Sequence, residues 1–397
     1  MNLLYLAAFV PHPVTDGDKV RAFWTLRALA RRHRVHAFFL DPEGQGRIPG
    51  PVGALCADVR VFTFPRSMRA SGALLGALQG LPVHSYAFWN RSAQAELDRV
   101  VARWRPSACH VHRIRMMPYA ERLGLPYVLD ATDSIAAYYR RSASLRGWRR
   151  AYARFDARRV EVAERRWGNA AKAVLAITRE ERANLVRLGI RSPVCVAPNG
   201  IDLVHWRMSR SRRVPGLLAF VGNLGYPPNV KGLEWFALRI APMIAARVPG
   251  ARLVVAGGGL TPALRASVSR SPMPIRFAGF VQDLRPFLGS ASAVVCPLPL
   301  AAGLQNKAVL AMACGAPVVA TSNVARAIGA RSGHEAAVAD SPAGFASATV
   351  GLLASRGQGR RLALGARRLI ERRFGDDAAR VGIDRAFALL ARAVEGR

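Results

Sequence analysis

At 397 residues the chain exceeds the roughly 250–300 residues at which single cores stop growing, so two domains are expected. A hydrophobic content of 51% with 35 glycines and 25 prolines excludes a disordered chain and fits an ordered globular enzyme. The formal charge of +33 favours anionic partners such as nucleotides, acidic lipid headgroups or nucleic acid, but no helix-turn-helix, zinc-finger or RNA-recognition signature accompanies it, so no specific nucleic acid is expected.

The opening NLLYLAAFV, residues 2–10, reads as a strand ending at Pro11 and not as a signal peptide, because no basic region precedes it. In the loop that follows, Gly17 either presents a backbone amide to a phosphate or simply makes the turn before the helix AFWTLRALARR. Lys19 and Arg21 add positive charge at the same edge, for an anionic donor or a lipid-linked diphosphate. After the strand HRVHAFFL, the segment SACHVHRI places His110 and His112 on one side of an alternating strand. One of them is a base or orienting group for a hydroxyl, or the two are partly buried with structural bonds. In YVLDATDS, Asp130 and Asp133 either hold sugar hydroxyls or cap the helix beginning near Ile135; they lack the neighbours a metal site needs.

Tyr138 to Arg166 is the densest basic run and has helical spacing, with Trp148, Tyr152, Phe155 and Val162 among the arginines. It reads as an amphipathic helix with a solvated basic face, or as one that lies on an anionic membrane surface. The longest apolar runs are shorter than the roughly 18–20 residues that span a bilayer. The strand and helix of AVLAITREERANLVRLG follow, with Thr178 and Glu181 in capping-box spacing, then VCVAPNGID with a sharp Asn-Gly turn. The five cysteines are widely spaced and form no Cys-x-x-Cys or His/Cys cluster, so neither a disulfide framework nor structural zinc is expected, and a cytoplasmic location is the simplest.

The basic stretch RMSRSRRVPG, residues 207–216, reads as a linker between a first domain, 1–206, and a second, 217–375. The second domain is a series of short apolar runs, each stopped by glycine, proline or a polar loop, which is the pattern of a parallel sheet covered by helices. Such sheets bind ligands at the carboxyl ends of their strands. Gly222 and Asn223 end the first run, and Lys231 near the next helix start can reach a diphosphate. Gly257 and Gly258, with Gly259, let the backbone approach a base or sugar. The strongest anion site is the helix start expected near Leu304, where Gly303, Leu304 and Gln305 offer amides, Gln305 and Asn306 offer side-chain hydrogen bonds, and Lys307 adds charge.

Five segments carry a resemblance: PNGID at 198–202, VGNLGYPPNVKG at 221–232, VVAGGG at 254–259, FAGFVQDLRPFL at 277–288 and GLQNKAVLAMACGAPVVAT at 303–321. Together they resemble the retaining GT-B glycosyltransferases, the family 4-like, group 1 transferases that include many bacterial polysaccharide enzymes. The Pro-Pro-Asn and Gly-Leu-Gln-Asn-Lys wording, with GDKVRAF and LDATDS, is similar to a subgroup tied to exopolysaccharide assembly, one branch of which accompanies an exosortase-type sorting system. The resemblance implies an α/β chain of two Rossmann-like doubly wound domains facing across a cleft, with the C-terminal helix, 376–397, crossing back to the first domain. It implies transfer from a nucleotide-sugar donor, which is a substrate, to a glycan or polyprenyl-diphosphate-linked acceptor, with retention and without a cofactor or metal. His112 then lies near the sugar, and Lys231 offsets charge growing on the leaving phosphate.

Two departures qualify the resemblance. Many relatives carry a Glu-x7-Glu pair at positions matching Ala302 and Leu310, and leucine cannot bind ribose hydroxyls as the second glutamate does. Asn223 stands where many relatives have a phosphate-binding arginine. Glu335 or another residue is expected to compensate for the lost carboxylate, and a degenerate homologue serving as partner or scaffold of an active transferase is the alternative. A nicotinamide dehydrogenase is excluded by the lack of Gly-x-Gly-x-x-Gly after a first strand.

Overall fold

The computed structural model describes residues 1–14, 17–41, 44, 46–141, 147–209, 211–299 and 304–395. Contacts divide the chain into two units, Met1–Asn199 with Ala379–Arg397, and Gly200–Ala378.

The first unit holds seven strands: β1 Asn2–Ala7, β2 Arg34–Asp41, β3 Asp58–Thr63, β4 Ala108–His112, β5 Tyr127–Thr132, β6 Ala173–Ala176 and β7 Val194–Val196. They form one parallel sheet in the order β3-β2-β1-β4-β5-β6-β7. β1 and β4–β6 are buried almost throughout, which is why they read as unbroken apolar runs. One face of the sheet packs on helix Gly17–Ala30, through Trp24, Leu26 and Leu29, and on the last helix, Asp376–Glu395, through Ala379, Ile383, Phe387 and Leu390. The other face packs on helices Arg91–Trp104 and Trp148–Ala170, through Leu97, Val160 and Trp167.

The second unit holds β8 Val214–Val221, β9 Arg252–Ala256, β10 Ile275–Gly279, β11 Ala291–Cys296, β12 Val318–Ala320 and β13 Ala337–Val338, a parallel sheet in the order β10-β9-β8-β11-β12-β13. The order is that of the first sheet less one edge strand. Both sheets reverse direction beside their own first strand, between β1 and β4 and between β8 and β11. In an open α/β sheet this switch point opens a crevice at the carboxyl ends, where ligands bind.

Two boundaries differ from those read in the sequence. β8 begins at Val214, so Pro215 and Gly216 lie within a strand and not in a linker. The register between β8 and β11 slips there, with Val214 opposite Ala291 and Leu218 opposite Ala293, so the Pro-Gly pair sits at an irregularity that needs no regular ladder bond. The unit boundary itself falls at Asn199, in the Asn-Gly turn.

Candidate functional site

At the carboxyl edge of the second sheet, the loops after β8 and β9 interlock. The amide of Gly222 donates to Ala256 O at 2.9 Å, and that of Leu224 donates to Gly258 O at 2.7 Å. Gly257 has φ +148°, and a Cβ there would lie 1.9 Å from Gly222 O, so only glycine lets the two loops approach this closely. Asn223 closes its own turn, its Oδ1 accepting from the Gly225 amide at 2.8 Å.

Beneath this turn lies a contact that the sequence did not announce. Lys307 Nζ donates to Asn229 Oδ1, and Asn229 Nδ2 donates to Asn223 O at 2.8 Å. The same ammonium stands 4.9 Å from the centre of the Phe220 ring. Asn229 is buried, and burial pushes the Lys307 ammonium down to about 8. Residues 78 apart in the chain thus brace the loop 222–225 at the β8/β11 switch point. A Cβ on Gly222 would sit 2.7 Å from Asn229 Nδ2 and 3.0 Å from Lys307 Nζ, so the loop backbone lies directly on the pair.

Several expected site residues are placed differently from their reading. The helix expected near Leu304 runs Asn306–Ala313, with Gln305 as its N-cap, so its first-turn amides are those of Asn306 and Lys307. Gln305 caps through its backbone, since its carbonyl accepts from Ala308 N at 3.0 Å. Leu304 packs against the core instead of presenting its amide as part of the helix. Gly303 and Ala302 lie outside the described residues. Lys231 lies within helix Pro227–Trp235 and is exposed; two residues from Asn229, it is about 200° away around the helix and does not share the Lys307 contact. Leu310 packs against the core. Glu335 cannot replace the missing carboxylate. It precedes β13, at the sheet edge opposite the carboxyl ends, and accepts from Arg331 N at 2.8 Å and Arg331 Nη2 at 2.9 Å. Phe280, 72% exposed just after β10, was missed; a large aromatic in a loop at a carboxyl edge is the signal that could have found it.

The first unit's switch point is a buried polar cluster. His112 ends β4 and Asp130 lies in β5, both fully buried. Arg21 is fully buried as well, with Nε 2.8 Å and Nη2 3.1 Å from the two Asp130 oxygens, and Nη1 donating to Ala197 O. This corrects two expectations: Arg21 is not an edge charge for an anion, and Asp130 caps no helix, because Arg21 holds both its oxygens. Burial, the largest single influence, would raise the Asp130 carboxyl, but Arg21 together with the neighbouring His112 and His110 holds it far below the usual range. His110 stacks on Tyr5 at 4.6 Å between ring centroids. His112 Nδ1 is 3.8 Å from Asp130 Oδ2, beyond hydrogen-bond reach, and the ring nitrogens of both histidines have no hydrogen-bond partner among the described residues. Ligand atoms of His110, His112 and Asp130 lie within 4.8 Å of one another, but the Arg21 guanidinium already occupies both carboxylate oxygens, so a metal ion does not fit.

Asp133 pairs with Arg113, which also pairs with Asp18. Burial would raise the Asp18 carboxyl, but Arg113 and Arg115 outweigh it and bring it to about 2. Gly17 opens its helix and is exposed, and the Asp18 carboxylate in the same first turn already supplies negative charge there. The start of helix Ile135–Arg141 is capped by Glu164, which accepts from Ser134 Oγ at 2.8 Å, Ile135 N at 2.7 Å and Ala136 N at 3.1 Å. Burial pushes the Glu164 carboxyl up to about 7 despite these bonds. A carboxyl raised in the folded state binds its proton more tightly there, so its contribution to stability is present at low pH and lost as pH rises from about 4.5 to about 7. Glu164→Gln is expected to flatten the melting temperature across that window, as thermal denaturation between about pH 5 and 8 will test.

The sequence carries two family matches: "Glycosyl transferase 4-like domain" over residues 17–200 and "Glycosyl transferases group 1" over 215–355, between them most of the chain. The chain belongs to the glycosyltransferases. No curated protein sequence matches it. The transferase has the GT-B fold, like several solved structures of low identity. Sucrose-phosphate synthase from Thermosynechococcus elongatus superposes with a TM-score of 0.74 at 16% identity, covering 98% of this chain and 99% of the other. HepE from Anabaena, solved in complex with UDP and glucose, gives 0.69 at 15%, covering 97% and 99%. WaaG, a glycosyltransferase involved in lipopolysaccharide biosynthesis, gives 0.65 at 15%, covering 98% and 99%.

Proposed function

We propose that the transferase moves a sugar from a nucleotide-sugar donor to a glycan or polyprenyl-diphosphate-linked acceptor, in the assembly of exopolysaccharide or another cell-surface polysaccharide. The observation that carries the donor is the braced loop 222–225 at the β8/β11 switch point, with Lys307 and Asn229 beneath it. A diphosphate set between this loop and the first turn of helix Asn306–Ala313 meets the amides of that first turn and a lysine in a shielded setting, where such donors count most. Exposed Lys231 adds a second cation, and exposed Phe280 offers a flat surface for the base. HepE's complex with UDP and glucose makes UDP-glucose the first donor to test. The charge from lysines and amides supports a reaction without added metal, and the resemblance supports retention. His112, at the first unit's switch point with unpartnered ring nitrogens, is the group proposed to orient a hydroxyl. The proposed compartment is the cytoplasm, at the membrane face where a lipid-linked acceptor is anchored; no described helix is long and apolar enough to cross a membrane.

Calorimetry with UDP-, GDP-, ADP- and TDP-sugars and no added metal tests this reading. Micromolar binding of one donor is expected, weakened about tenfold or more by Lys231→Ala, the loss typical of a hydrogen bond to a charged group. A folded protein that binds none of the panel overturns it in favour of a second reading, a degenerate homologue acting as partner of an active transferase. That reading is favoured by Leu310, which packs on the core where relatives place a carboxylate, and by the engagement of Glu335 elsewhere.

A further inference from the structure

The outer face of helix Trp148–Ala170 is strongly charged and takes no part in the donor site. Two of the helix's acidic residues are turned inward. Asp156 accepts the amides of Val83 and His84, both at 2.8 Å, and Glu164 caps the neighbouring helix. Arg150, Arg154, Arg158, Arg165 and Arg166 remain outward, and between them Phe155 and Val162 are 50% and 48% exposed. The acids that meet this face, Glu161 and Glu121, pair with Arg140 at 3.4 Å and Arg166 at 2.8 Å.

The short helix Val83–Tyr86, which touches helix Trp148–Ala170, carries an apolar helix on its other side. Arg69–Leu78 contains no acidic residue, and its Gly72 and Gly76 lie tight on Val83–Tyr86: added Cβ atoms would come 2.1 Å from Tyr86 O and 2.9 Å from Tyr86 Cβ. That packing sends Leu74 and Leu78, one turn apart, into solvent at 60% and 77% exposure. Two residues after Leu78, Gly80 lines a groove of about 510 Å³ together with Leu81, Pro82, Phe155, Val162 and Arg158.

We propose that this face of the first unit docks on an anionic lipid bilayer, the two leucines and Phe155 entering the acyl boundary while the arginines meet the headgroups. The charge of the face is complementary to such a surface, and each arginine near it strengthens binding about fivefold. Exposed leucines one helical turn apart gain from hydrocarbon and gain nothing from a nucleic-acid backbone. The proposal does not rest on the donor reading, and its test uses no donor, so the two fail separately.

The test is flotation of the full chain with vesicles of phosphatidylcholine alone and of phosphatidylcholine with phosphatidylglycerol. Binding is expected only with the anionic lipid and falls with added salt. Arg154→Gln/Arg158→Gln/Arg165→Gln is expected to weaken it about a hundredfold, as three arginines at about fivefold each. Leu74→Ser/Leu78→Ser is expected to weaken it about tenfold or more, as loss of buried apolar area. Removing the same charge from the second unit, with Arg270→Gln/Arg356→Gln/Arg360→Gln, is expected to leave it unchanged. All eight positions are exposed, so folding is expected to survive, as melting curves will check. Equal binding to neutral vesicles overturns the proposal, as does equal loss in the second-unit variant. Leucine variants that bind like the parent point instead to a polyanion such as RNA, and leucine variants that dissociate a dimer in light scattering point to a self-contact; either result also overturns it.

Discussion

Lys307→Met is expected to weaken donor binding by about a hundredfold or more while the chain stays folded. Methionine preserves most of the side chain's length and its contact with Phe220. It removes the donor to Asn229 Oδ1, and with it the brace that holds Asn223 O through Asn229 Nδ2. A hydrogen bond to a charged group contributes about 1.5–3 kcal/mol, and the lost charge beside a diphosphate adds to that. The pH dependence gives an independent check. Burial depresses the Lys307 ammonium to about 8, so the free protein carries this charge below pH 8 and loses it as pH rises through that value. Donor affinity is expected to fall above pH 8, and binding at that pH is expected to take up a proton as the diphosphate restores the charge. Calorimetry in buffers of different ionisation heat reads this uptake directly, and the methionine variant is expected to show none. Stability follows a separate sign: a lysine depressed in the fold disfavours it below its ordinary titration range, so removing the buried charge offsets part of the lost hydrogen bond, and a melting temperature close to the parent's is expected.

Arg21→Met is expected to lower stability by about 3–5 kcal/mol, the cost of leaving a buried carboxylate without its partner. Arg21 and Asp130 are both fully buried, and the guanidinium ties three places together: helix Gly17–Ala30, β5, and Ala197 just past β7. In a unit of this size each kcal/mol moves the melting temperature about 2–4 °C, so a fall of roughly 10 °C is expected. Arg21→Met/Asp130→Asn is expected to recover more than half of that loss, because no charge is then stranded in the core. The pair also sets an acid limit. A carboxyl held below its ordinary range contributes stability that is present above that range and lost as pH falls beneath it. The parent is therefore expected to melt progressively lower on acidification, and the double variant to lose that part of the slope. A double variant no more stable than Arg21→Met alone would assign the loss to the bond from Arg21 to Ala197 O instead.

Most strands were legible because a parallel sheet buried on both faces writes its strands as short apolar runs, and each run stops where its chain leaves the sheet; β3 and β13, half-buried or short at the sheet edges, carry no such run and were not read. The glycines after β9 were legible as the turn where that strand leaves the sheet. What could not be read was the partner of each polar residue. Arg21 appears in sequence as one more basic residue near a loop, and nothing local shows that Asp130, 109 residues on, neutralises it in the core. Glu164 looks like part of a charged helical run, although it caps a helix start 29 residues earlier. Lys307 reads in sequence as a charge at a helix start, and nothing local shows that it holds Asn229, 78 residues earlier. Periodicity fixes which face of an element is apolar; it does not fix which buried charges find one another.

The last helix gives the first unit an unusual order of completion. Ala379, Ile383, Phe387 and Leu390 cover the part of one face that helix Gly17–Ala30 leaves open, on a sheet whose final strand ends at Val196, and the whole second unit is made in between. On the ribosome, at about 5–20 residues per second, that part of the face stays open for roughly ten to forty seconds after its strands have emerged. The second unit has its full sequence first, although its synthesis begins later. During that interval the apolar face is exposed to chaperones, to other nascent chains and to any surface that binds hydrocarbon. A fragment stopped at Asn199 would keep it exposed permanently, so the natural cut between the two units is not a cut at which the first can be expressed alone.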